Sequence, residues 1–142
     1  MFEVCGWRFG CALCIEIQFA EVFQDYADRA VDCVLFSSYS EDPMFGVQAQ
    51  GYAASHNFWV SVSVATECSH ALTSRLVGPN GEVQEVVMAM SSGIVIETLD
   101  ADDPRWDVAL KRSRPWRSQA RQGGIYRERY VDDPRSTNRS QY

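Results

Sequence analysis

Residues 10–21 read GCALCIEIQFAE. The stretch changes period in its middle, and that change decides the fold. Over residues 7–14 the chain alternates: Arg8, Gly10, Ala12 and Cys14 face one way and Trp7, Phe9, Cys11 and Leu13 the other. This two-residue period predicts a strand. From Phe19 the period becomes helical, with Phe19, Val22, Phe23, Tyr26, Ala27 and Ala30 on one apolar stripe and Glu21, Gln24, Asp25, Asp28 and Arg29 opposite it. Cys14 is thus delivered to a strand-to-helix junction, where a thiol is lifted out of the sheet and set beside backbone N–H donors.

Working outward, residues 31–36 are almost unbroken apolar, the pattern of a strand buried on both faces. Strand, helix and strand with short joints make a right-handed βαβ unit with parallel strands. Ligands collect at the carboxyl ends of such strands, which puts Cys14 and the loop 37–42 (SSYSED) on one rim. Tyr39 and Glu41 of that loop are therefore candidates to line a substrate pocket. A second helix starts at Pro43 with Asp42 as its cap, and its stripe is Phe45, Ala49, Tyr52 and Ala53. His56, at its end, is a candidate to face the rim. Residues 58–64 alternate as a strand, and residues 74–78 and 83–88 flank a Gly-Pro-Asn-Gly turn as a hairpin. Residues 93–99 predict a further strand and 103–114 a short helix opened by Asp-Pro. After Trp116 the periodicity fades into an irregular tail over 123–142, with Trp116 and Tyr126 as packing anchors. A domain over residues 1–114 and a basic tail over 115–142 follow from this reading.

The 142 residues suit one domain, with 46% hydrophobic and 23% charged residues. The start, MFEVCGWRFG, has an acid and no basic, apolar leader pattern. No apolar run approaches the length of a membrane span. Five cysteines at 5, 11, 14, 33 and 68 have no framework spacing. Reduced thiols and a cytoplasmic location, without membrane association, are expected. Residues three apart on a strand face opposite sides, so Cys11 and Cys14 are not expected to share a metal or a disulfide.

The net charge of −6 hides an asymmetry. Residues 1–104 carry three arginines against fifteen acids, and residues 105–142 carry ten Lys or Arg against four acids. A basic end on an acidic body finds its nearest partner in that body or in another subunit. No nucleic-acid motif accompanies it, so nucleic acid is not an expected partner.

The ordered series of segments resembles the carbon–nitrogen hydrolases of the nitrilase superfamily. Their nucleophile sits in a stretch like Gly-x-x-x-Cys-Tyr-Asp-x-Arg-Phe-Pro-Glu, and here the chain reads Gly-Cys-Ala-Leu-Cys-Ile-Glu-Ile-Gln-Phe-Ala-Glu. DRAVDCVLFSS, YAASHNFWVSVSV, SRLVGPNGEV and GIVIETLD are similar to the segments that follow in that family, in the same order, so the resemblance covers about residues 7–100. Ile15, Gln18 and Ala20 depart from the common Tyr, Arg and Pro, and Ser55-His56 stands where Glu-Asn is common.

The resemblance implies an α/β fold like half of a four-layer αββα sandwich, and hydrolysis of an amide or nitrile by a Glu–Lys–Cys triad with no cofactor and no metal. Cys14 takes the nucleophile position and the backbone N–H of Ile15 the oxyanion-donor position. Glu16 and Glu21 read as structural support, Glu16 bracing the elbow and Glu21 in the first helical turn. Cys-Ile-Glu, unlike the Cys-Trp-Glu of true nitrilases, favours an amide substrate. In the family the triad glutamate and lysine precede the cysteine. Here thirteen residues do so, and the only lysine is Lys111. The chain is therefore expected to correspond to the C-terminal half of the catalytic domain and to be inactive or nearly so by itself. Half a sandwich leaves apolar surface bare, so a homo-oligomer or an N-terminal half elsewhere is the expected partner. The alternative is a non-catalytic fragment acting as an oligomerisation module.

Overall fold

The computed structural model describes residues 1–121. Six strands form one sheet in sequence order: β1 (Phe2–Val4), β2 (Trp7–Leu13), β3 (Cys33–Ser38), β4 (Trp59–Val64), β5 (Arg75–Val77) and β6 (Val83–Val86). β2, β3 and β4 are parallel, and β1, β5 and β6 extend the sheet antiparallel at its two ends. The crossovers carry helices α1 (Ala20–Asp28) and α2 (Met44–His56), so both pack on the same face. β1 has no counterpart in the sequence reading. It is three residues long and reached through Cys5 and Gly6, both at positive φ.

The helix-covered face holds the main core. Ala12, Phe23, Val34, Phe36, Ala49, Ala53, Phe58 and Val60 are fully buried there, and Phe23 stacks on Tyr52 with ring centroids 3.9 Å apart. Gly10 is needed for this packing, since a Cβ there would lie 2.9 Å from the Tyr26 ring. The opposite face carries a second cluster of Cys33, Trp59, Leu76 and Trp106, with Trp7, Phe9, Leu35, Val95 and Leu99 at its margin. This face is partly closed by the chain itself, and not wholly bare as expected of half a sandwich.

Residues 93–99 cross that open face but form no strand, which corrects the reading of the GIVIETLD segment. Val95 and Leu99 reach the second cluster, while Ile94 and Ile96 are 87% and 89% exposed. The alternation is real, but alternation needs a hydrogen-bonding neighbour to become a strand. The helical reading of 103–114 is also corrected. A 3-10 turn Pro104–Trp106, opened by the Asp103 side chain accepting from Arg105 N–H, leads into a π-helix Asp107–Ser113 and then α3 (Arg114–Arg121). Helix thus continues past Trp116. Trp116 is 55% exposed and is no anchor; Trp106, 5% exposed against Trp59, has that role. Tyr126 and the expected tail 123–142 lie outside the described residues.

The basic end engages the acidic body directly. Arg114 pairs with Asp32 at 3.1 Å and donates to the Val31 carbonyl at 2.8 Å, at the start of β3. Arg117 donates to the Ala54 carbonyl, in the last turn of α2, and to the Asn57 Oδ1 that follows it. Arg121 reaches Gln24 and lies 3.0 Å from His56 Nδ1.

His56 therefore sits at the amino-terminal edge of the sheet, away from the rim, which corrects its expected placement. α2 begins at the rim and its 13 residues run about 20 Å back across the sheet. Burial, then Arg121 and more weakly Arg117, hold His56 down at about 4 against an ordinary 6.5, opposed by Asp28. The unfolded chain takes up this proton below about pH 6.5 and the folded chain not until about 4, so acid favours unfolding in that window. Melting temperatures measured against pH should fall between pH 6.5 and 4 more steeply for the parent than for His56→Gln, and run parallel above it.

Candidate functional site

The site is built where β2 hands over to α1. Cys14 has φ 47, in the left-handed region that side-chain-bearing residues adopt only when their surroundings hold them there. It opens a 3-10 turn, Cys14–Gln18, that ends at the start of α1. Three contacts hold the turn. Glu16 Oε2 accepts the Leu13 N–H at 2.7 Å, Ile17 is fully buried in the main core, and the Phe19 N–H donates to the Glu16 carbonyl at 3.0 Å. Ile15 points its side chain outward, 53% exposed. Its N–H belongs to the first turn, whose donors have no partner within the helix. Glu21 lies in the first turn of α1, where a carboxylate complements the helix dipole.

The parallel register sets the thiol's neighbour. Leu13 is opposite Ser37, so one residue on, Cys14 is level with Ser38. Ser38 is buried at the end of β3, and its hydroxyl donates to Cys14 Sγ at 3.9 Å. Ser37 and Ser38 do not lie in the rim loop expected from the sequence. They are instead the last two residues of β3, because the strand starts at Cys33 and runs to Ser38.

Tyr39 and Glu41 follow on the rim, in the segment between β3 and α2. Tyr39 is 69% exposed, and the nearby carboxylate of Glu67 pushes its phenol up. Glu41 lies 3.7 Å from His70. This pair joins the loop after β3 to the loop after β4. A groove of about 380 Å³, lined by Phe9, Leu35, Ser61, Val95 and Leu99 among others, lies on the open face of the sheet and does not include Cys14.

Lys111 is engaged elsewhere, 2.7 Å from Asp107 in the π-helix. Cys11 and Cys14 are both free thiols. Among the described residues no group of three His, Cys, Asp or Glu is placed to hold a metal ion, and no helix is long and apolar enough to cross a membrane.

The mixed six-stranded sheet, with a strand-to-helix elbow at the end of its parallel strand β2, is an α/β fold found among solved structures. The NitN amidase of Nesterenkonia sp. AN1 matches over 84% of this chain and 47% of its own, with TM-score 0.59 and 17% identity. A mutant of that amidase in complex with butyramide matches over 61% and 36%, with TM-score 0.52 and 15% identity. The C. elegans NitFhit protein matches over 57% and 22%, with TM-score 0.51 and 17% identity. The fold is thus that of nitrilase-superfamily proteins, and the chain spans less than half the length of these structures. No family model and no curated protein matches the sequence.

Proposed function

We propose that Cys14 is the nucleophile of a carbon–nitrogen hydrolase site that acts on a small amide. The observation that carries this reading is the elbow itself: a half-buried thiol held at positive φ, followed at once by the Ile15 N–H in a first helical turn. In the proposed reaction Cys14 Sγ bonds to the amide carbon and the Ile15 N–H donates to the oxyanion. The C–N bond then breaks, the amine leaves with a proton, and water releases the acid from the thioester and restores the thiol. Glu16 supports the elbow, and Tyr39 and Glu41 border the approach to it.

Residues 1–142 supply only part of that machinery. An ordinary thiol is about a few per cent thiolate at neutral pH, so it needs a base, and Lys111 is committed to Asp107. Loss of one oxyanion donor costs about 10²–10³ in rate where this has been measured. The polypeptide of residues 1–142 should therefore hydrolyse butyramide no faster than its Cys14→Ala variant, both at the uncatalysed rate. Multiple turnovers by the parent, abolished in Cys14→Ala, would overturn the inertness while supporting the nucleophile. A second copy of the chain or a polypeptide supplying an acid and a lysine is the proposed partner, in keeping with the exposed Ile94 and Ile96 on the open face.

A further inference from the structure

We propose that Ser38 is a positioning residue for the Cys14 thiolate, an inference that rests on reading Cys14 as the nucleophile. Ser38 is 8% exposed, at the carboxyl end of a central parallel strand. A buried hydroxyl requires a partner. Among the described residues its only side-chain hydrogen bond is the one it donates to Cys14 Sγ, at 3.9 Å.

A neutral thiol is a weak acceptor, and a contact of this length to it does little for a resting fold. A thiolate is a strong acceptor, and a donor already aimed at it is strengthened by charge and by partial exclusion of water. The hydroxyl is thus matched to the ionised form of its partner. It also fixes where the sulfur points. The register that puts Ser38 beside Cys14 is set by five consecutive β2–β3 pairs, from Phe9↔Cys33 to Leu13↔Ser37, so the donor stands on a rigid strand while the thiol stands on the elbow. The geometry resembles a donor waiting for charge, on the side of the sulfur supplied by β3.

The test reads Cys14 alkylation by iodoacetamide, mapped by peptide mass spectrometry across about pH 6 to 10, a range that brackets an ordinary thiol. In Ser38→Ala the Cys14 rate at neutral pH should fall about tenfold, with its pH profile displaced to higher pH, the size expected of one hydrogen bond to a charged group. Ser38→Thr, which keeps a hydroxyl at the same place, should restore the profile. Exposed Cys11, on the other face of β2, should keep its own profile in all three chains. Buried Cys33, whose thiol burial pushes up to about 12, reports the fold by staying unlabelled. An unchanged Cys14 profile in Ser38→Ala overturns the proposal. So does a Ser38→Ala chain that exposes Cys33, since a hydroxyl whose task is the thiolate can be removed without unfolding. Amide hydrolysis is not read here, so a failed hydrolase assay leaves this result standing, and a failed Ser38 effect leaves Cys14 as the nucleophile.

Discussion

Trp106→Ala is expected to destabilise the chain by about 3–5 kcal/mol, the range for truncating a large buried aromatic. Trp106 is the buried residue of the segment after β6 that closes on the open face of the sheet, with Val95 and Leu99 beside it. Its ring meets Trp59 edge-on at 6.0 Å, packs on Gly78 so closely that a Cβ there would lie 2.8 Å from it, and carries the Arg105 guanidinium at 5.1 Å. Its loss uncovers Cys33 and Leu76 together, because all belong to one cluster. Urea unfolding should show the loss of stability, and Cys33 should become open to alkylation before global unfolding. An unchanged midpoint with Cys33 still protected would mean that Trp106 does not hold this face closed.

Gly81→Ala should cost about 3 kcal/mol. Gly81 has φ +87, where a side chain adds about 1–2 kcal/mol of backbone strain. Overpacking adds about 1–3 kcal/mol more, since the new Cβ would meet Ala54 Cβ at 2.7 Å and the Gln50 carbonyl at 3.0 Å. The turn is held against α2 by Gln50, which donates to the Gly81 carbonyl, and by Asn57, which donates to the Pro79 carbonyl. Because α2 also covers the strands that carry Ser38 and the elbow, the damage should reach the site. Thermal melting of Gly81→Ala beside Gly51→Ala separates the effects, since Gly51 lies in α2 with open space around it. Equal melting temperatures would show that the turn carries no such strain.

The parts of the fold legible in the sequence are those where a period changes or a turn residue is obligatory. The change at residues 14–19 located β2, the elbow and α1, and Gly-Pro-Asn-Gly located the β5–β6 turn, where Gly81 alone tolerates the backbone. Residues 93–99 misled because Val95 and Leu99 do alternate against the open face, while their backbone has no neighbouring strand. His56 lies on the apolar side of α2, but periodicity says nothing of which sheet edge a helix end reaches. Helix length and direction supply that. Ser38 was illegible for another reason: its place beside Cys14 comes from strand register, a contact between residues 24 apart in sequence. Arg114, Arg117 and Arg121 likewise read as a charge run, and only the fold shows them meeting Asp32, the end of α2 and His56.

If the elbow makes Cys14 the proposed nucleophile, Cys14 should react ahead of the more open thiols. Acylation by p-nitrophenyl acetate, followed by peptide mapping of the trapped thioester, tests it most directly. Cys5 and Cys11 are exposed and Cys14 is only partly so, so accessibility alone would direct the reagent away from the elbow. The acyl group should appear on Cys14 first, in at most one equivalent, with no such adduct in Cys14→Ala. Acylation of Cys5 or Cys11 with Cys14 unmodified would contradict it.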